Sequence, residues 1–148
     1  MRVNISYIDP EEEEQAKLYI KKGHRSLNEL IHVITEETYK EIFLSVTSDG
    51  NQYQINCKHI CYIESVDEKT VVHTNLKTFL CKKKLYELEG LLSENFARIS
   101  KGIILNLTQV EHYSPQMNGI MKAVLCNGKE VYISRKYLKE LRYKIGGK

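Results

Sequence analysis

Apolar and polar residues alternate along Arg2-Val3-Asn4-Ile5-Ser6-Tyr7-Ile8, the period of two that marks a strand with one buried face. Asp9 then offers an N-cap, Pro10 a first-turn residue whose missing N–H costs nothing, and Glu12 the carboxylate of a capping box. The pattern predicts a helix over residues 10–22, stopped by Gly23. It reads the acidic run Glu11-Glu12-Glu13-Glu14 as charge favoured at a helix N-terminus. Ser26 and Glu29 form a second capping box. Leu27, Leu30, Ile31 and Ile34 fall at i, i+3, i+4 and i+7, so a second helix carries an apolar stripe that must be buried, by default against the rest of the chain.

Beyond Glu41 the period changes to that of strands. Ile42, Leu44 and Val46 alternate, Ser48-Asp49-Gly50 turns the chain, and Tyr53, Ile55 and Cys57 alternate again, which predicts a β-hairpin. Strands are predicted over 60–64, 71–74 and 78–82, with a polar turn at Asp67-Glu68-Lys69. Leu85, Leu88, Leu91 and Leu92 mark an amphipathic helix, followed by strands over 96–100, 103–105 and 109–113. Asn127-Gly128 is a two-residue hairpin turn between strands 120–126 and 129–133, and residues 135–144 form a closing helix. The expected architecture is mostly β with short helices, residues 41–148, preceded by a strand-helix-helix extension, residues 1–40.

At 148 residues, the chain has room for one ordinary domain and such an extension. No apolar run approaches the roughly 20 residues of a membrane span, and no secretory leader is visible, so a cytoplasmic protein is expected. Four Cys without close paired spacing read as reduced thiols. Charge is unevenly placed: residues 1–50 hold six Lys and Arg against ten Asp and Glu, a net of −4, whereas residues 51–148 hold sixteen against nine, a net of +7. The later part can therefore attract a polyanion that the opening part would repel.

Enzyme signatures are missing: there is no phosphate-cradling Gly-rich loop opening a helix, no nucleophile elbow, and no helical His pair flanking a glutamate. Cys57, His59 and Cys61 would share one face of a single strand, which would suggest a zinc-dependent sensor. Neighbouring ligands about 7 Å apart along a strand suit tetrahedral zinc poorly, and buried thiols packing as small apolar groups is the better reading. No cofactor is expected. The cations cluster at strand ends and turns: Lys82-Lys83-Lys84 before a helix, Arg98, Ser100 and Lys101 at a strand end, and Ser134-Arg135-Lys136 where the last hairpin meets the closing helix. Such side chains can reach phosphates, and an Arg there can also pair with guanine.

Cys61-Tyr62-Ile63-Glu64-Ser65, Leu85-Tyr86-Glu87-Leu88-Glu89, the run from Phe96-Ala97-Arg98-Ile99-Ser100-Lys101 to Leu105-Asn106, Asn127-Gly128 and Ile133-Ser134-Arg135-Lys136-Tyr137 come in one order. In order and spacing they resemble the LytTR family of bacterial DNA-binding domains, over roughly residues 42–146. The resemblance implies an elongated β domain that places loops in successive major grooves, and hence a transcription regulator. It carries base contacts to Lys69, Thr70, Lys101 and Arg135, and phosphate contacts to Lys84, Arg98, Ser100, Ser134, Lys136 and Lys139. This chain departs from the family in lacking a histidine at the first turn and in having Gly102 where Ser is common. The resemblance further implies two copies on paired sites in double-stranded DNA, control without a phosphorylated receiver domain, and, for short stand-alone members, a possible membrane-protein inhibitor as partner. The rival expectation is a protein-interaction module whose basic turns dock an acidic partner.

Overall fold

The computed structural model describes residues 2–35 and 41–145. The chain divides into two units, Met1–Lys40 and Glu41–Lys148; the junction expected at residue 40 falls outside the described residues.

In the first unit only the second predicted helix forms, as α1 (Leu27–Thr35). The predicted strand over residues 2–8 is irregular, and Val3, Ile5 and Tyr7 are exposed. An alternating segment becomes a strand only with a neighbour to take its N–H and C=O groups, and no described strand pairs with it. The predicted helix over 10–22 stops after one turn. Half of its capping box is made, the Asp9 N–H donating to Glu12 Oε1 at 3.4 Å, and the Glu12 N–H bonds the Asp9 carbonyl at 3.0 Å. Four successive glutamates and no continuous apolar stripe leave nothing to propagate this nucleus, which is marginal in water for a segment of this length. No residue of α1 is buried. Its stripe is expected to pack within the chain, yet Leu27, Leu30 and Ile34 are half-buried and Ile31 is exposed, because among the described residues α1 has no second helix or strand of its own unit to pack against.

The second unit contains all ten strands and both helices predicted for it. β1 (Phe43–Ser48) and β2 (Asn51–Asn56) form the first hairpin, closed by Asp49 and Gly50 at φ 51° and 78°. Paired left-handed residues match the twist of the flanking strands, hence the Asp-Gly sequence. β3 (Ile60–Val66), β4 (Lys69–Thr74), β5 (Thr78–Cys81), β6 (Phe96–Ser100) and β7 (Ile103–Asn106) complete a seven-stranded sheet in the order β2-β1-β5-β4-β3-β7-β6. α2 (Leu85–Leu91) lies between β5 and β6 in sequence. β8 (Val110–Pro115), β9 (Met121–Leu125) and β10 (Glu130–Ile133) make a second sheet, and α3 (Arg135–Lys144) follows.

Two cores result. Leu44, Val46, Ile60, Ile63, Val72, Phe79 and Ile104 pack with Leu85 and Leu88 of α2. Ala97, Ile99 and Leu105 pack with Ala123, Leu125, Val131 and Ile133 of the small sheet and Leu138 and Leu141 of α3. β3, β6 and β7 send alternate side chains to the two cores, the expected consequence of a strand buried on both faces. Two corners use one device. Asn56 and Asn106 each cap a single 3-10 turn, their side chains accepting from the N–H two residues on, at Lys58 and Thr108.

The first of these turns, Cys57–His59, together with a bulge at Ile60/Tyr62, breaks the single strand on which Cys57, His59 and Cys61 would have shared a face. Cys57 enters the first core, Cys61 the second, and His59 is exposed. Burial pushes the Cys57 thiol from its ordinary 9.0 to about 11, with the neighbouring Cys81 adding to the rise, and burial also raises Cys61 and Cys81. A thiol that holds its proton longer when folded stabilises the fold below its unfolded pKa. Stability contributed by Cys57 should therefore be lost as pH climbs from 9.0 to about 11, where the unfolded chain has ionised first. At pH 8 a thiol reagent should label one site on the native protein, the exposed Cys126, and Cys126→Ser should abolish that labelling while denaturant restores it at the three buried thiols. No helix among the described residues is long and apolar enough to cross a membrane.

Candidate nucleic-acid interface

Strand register gathers the basic turns. β4 starts opposite the end of β3 (Val66↔Lys69), β7 starts opposite the same end (Glu64↔Ile103), and β5 ends opposite the start of β4 (Thr70↔Cys81). The β3–β4 turn, the β6–β7 turn and residues 82–84 consequently share one end of the large sheet. The Ser65 N–H donates to the Gly102 carbonyl at 2.8 Å, tying the first two together, and the Ser134 N–H donates to the Ile99 carbonyl at 2.9 Å, which brings the start of α3 to the same end. Lys69, Lys82, Lys83, Lys84, Lys101, Arg135 and Lys136 are all exposed there, against Asp67 and Glu68 in the β3–β4 turn. Several separate strand pairs thus present a cationic surface at one edge, the footprint of a polyanion partner.

Lys69 and Lys101 project from their turns, both exposed, and among the described residues neither ammonium meets a protein partner. Thr70 is the buried member of the set. It is 3% exposed, between Ser65 of β3 and Cys81 of β5, and in this conformation offers a partner little surface. It points inward because Lys69 points outward, as successive residues of a strand must.

Lys84, though exposed, and Arg98 each also make hydrogen bonds within the protein. Asp67 and Glu68 occupy left-handed φ of 48° and 65°, uncommon for residues other than glycine, and the Lys84 ammonium braces this turn by donating to the Glu68 carbonyl at 2.8 Å. Arg98 folds its guanidinium over the β6–β7 turn. Its Nε donates to the Ser100 carbonyl at 3.0 Å, Nη2 to the Lys101 carbonyl, and Nη1 to Glu89 Oε2 of α2 at 3.1 Å. A bulge between Arg98 and Ser100 bends the strand at this point, and the Ser100 hydroxyl accepts from the Gly102 N–H at 3.3 Å. Gly102 has no left-handed φ, and a Cβ there would meet its nearest neighbour, the Ser65 carbonyl oxygen, at an ordinary 3.7 Å, so a serine would fit.

At the third position, Ser134 caps α3 through its backbone but its hydroxyl makes no capping bond. The first turn of α3 carries no acid and opens with Arg135-Lys136, the charge the helix dipole disfavours at that end. Backbone N–H groups, a spare hydroxyl and two cations at one helix start form a receptive place for a phosphate. Lys139 stands one turn beyond Arg135 on the same exposed face.

Two contributors escaped the sequence reading. Asn106 is 1% exposed; its Nδ2 donates to the Ile60 carbonyl at 2.8 Å, and its Oδ1 accepts from the Thr108 N–H and hydroxyl at 3.1 and 2.7 Å. Asn118-Gly119 forms a left-handed pair in the β8–β9 connection, at φ 64° and 75°, beside the stem of Arg135. The Asn-Gly dipeptide itself was the available signal.

Residues 50–146 match the LytTr DNA-binding domain family. Proteins of Staphylococcus aureus strains NCTC 8325 and COL, each described as an uncharacterized HTH-type transcriptional regulator, are 24% identical to this chain over 145 residues, covering 98% of both chains. The LytTr DNA-binding domain of a response regulator from Bacillus cereus superposes with a TM-score of 0.68 at 24% identity, covering 70% of this chain and 96% of that one. α1, α2 and α3 are separated by strands, so the described residues contain no helix-turn-helix pair. With ten strands and three short helices among the described residues, and this match across most of its length, the chain belongs to the LytTR family of DNA-binding domains.

Proposed function

We propose that this protein is a transcription regulator that recognises specific double-stranded DNA sequences in the major groove, using turns and a helix start instead of a helix laid along the groove. The observation that carries this reading is the convergence of Lys69, Lys101 and Arg135, from three different connections, at one end of the large sheet. Arg135 supplies the bidentate donor pair that suits guanine. Lys69 and Lys101 read neighbouring base edges, and Lys136, Lys139 and Ser134 hold phosphates. Two copies on paired sites, in the cytoplasm, complete the proposal, and neither catalysis nor a cofactor is part of it.

Selection from a pool of randomised DNA duplexes tests it. The expected result is an enriched sequence, bound by the full chain far more tightly than its scrambled version. No enrichment, or equal retention on an acidic polypeptide, would favour a protein-docking module instead.

Arg98 distinguishes bracing from phosphate contact. Arg98→Ala is expected to weaken binding while leaving the slope of log K against log salt unchanged, because its guanidinium is committed to Ser100, Lys101 and Glu89. A slope lowered by about one would return Arg98 to the phosphate-contacting set. Binding isotherms at several salt concentrations give the answer.

A further inference from the structure

Gly119 lies outside every element that carries the proposed DNA contacts, yet it touches one of them. A Cβ built on it would stand 2.9 Å from Cδ and 3.2 Å from Cγ of Arg135, so the aliphatic stem of that arginine rests directly on the bare glycine backbone. The residue is held there by local geometry: Asn118 and Gly119 take left-handed φ of 64° and 75°, and the Gln116 N–H closes the connection by donating to the Ile120 carbonyl at 2.8 Å. Arg135 is otherwise exposed, and its guanidinium donates no hydrogen bond among the described residues. An arginine stem has several rotamers, and presenting two parallel donors to a base requires one of them.

We infer that the β8–β9 connection is a specificity-determining support, in which Gly119 is a positioning residue that sets the direction of the Arg135 guanidinium. The inference rests on the base-reading role of Arg135 proposed above. It assigns discrimination between bases to a position that itself meets no DNA. A side chain at 119 pushes the arginine stem aside and leaves its charge in place, so affinity for DNA in general survives while preference at one base pair falls.

Gly128 provides a matched control. It too is left-handed, at φ 85°, but a Cβ there has nothing within 4 Å. Alanine therefore imposes similar backbone strain at both sites and a side-chain collision only at Gly119. The full-length wild type, Gly119→Ala, Gly128→Ala, Arg135→Ala and the Gly119→Ala/Arg135→Ala double variant would each be titrated against the duplex selected by the wild type and its single-base variants. Gly119→Ala is expected to lower discrimination at the Arg135 base pair about tenfold, within the range one bidentate contact supports, with Gly128→Ala within about twofold of wild type. In the Arg135→Ala background, Gly119→Ala should change discrimination no further. Should the alanine variant fold poorly, Gly119→Asn brings the same Cβ with a residue that tolerates this φ. If Gly119→Ala and Gly119→Asn discriminate as well as Gly128→Ala, the support role is overturned, while a normal loss for Arg135→Ala would leave the base-reading role standing. If Arg135→Ala itself loses no discrimination, the underlying reading fails.

Discussion

Replacing Arg135 by alanine is expected to cost about 1–3 kcal/mol on the selected duplex and much less on scrambled DNA, flattening preference at one base pair. The asymmetry follows from geometry. A guanidinium presents two parallel N–H donors that match O6 and N7 of guanine, and no other base offers that pair of acceptors in the major groove. Lys139, four residues on and exposed on the same face, has only a point charge to offer. Lys139→Ala should weaken all duplexes alike and lower the salt slope by about one, as one fewer counterion is released. Lys101→Ala should follow Arg135→Ala if it meets a base and Lys139→Ala if it meets phosphate. Titrations on selected and scrambled duplexes at several salt concentrations separate these patterns, and equal losses on both duplexes for Arg135→Ala would remove it from base reading.

The second large effect is on folding. Asn106→Ala should destabilise the domain by about 2–4 kcal/mol, because it strands the buried Ile60 carbonyl and frees the turn at Thr108 in one step. Thermal melting should show a fall on the order of 10 °C. Asn106→Asp retains the acceptor for Thr108 but loses the donor to Ile60 and buries a charge, so it should be no better than alanine at neutral pH. A loss under about 1 kcal/mol for alanine would mean that solvent replaces these bonds and that the asparagine is dispensable.

Strand periodicity made the second unit legible, because nearly every strand there packs at least one face and the alternation is the physical record of that packing. Asp49-Gly50 marked a hairpin turn through left-handed backbone at both residues, and Asn127-Gly128 through that of Gly128. The same local reasoning failed over residues 2–22. A capping residue nucleates a turn, as the Asp9–Glu12 contact shows, but only packing propagates it. The single strand on which Cys57, His59 and Cys61 would have shared a face does not form, because a 3-10 turn capped by Asn56 and a bulge in the pairing of β3 with β4 part them. For the candidate site, the sequence identified the cations but could not say which of them are occupied within the fold. Lys84 and Arg98 look like surface charge until the carbonyls of Glu68, Ser100 and Lys101 are seen beneath them.

The division of labour between strands and turns has an evolutionary consequence. β3, β6 and β7 commit their side chains to two cores, so substitutions in them meet packing constraints on both faces. Lys69, Lys101 and Arg135 belong to neither core, and their turns are braced largely through backbone carbonyls, which every residue type retains. Side chains at these three positions are free to drift without repacking the protein. A lineage could therefore retarget such a regulator to new operators through a handful of single substitutions, each compatible with the same scaffold.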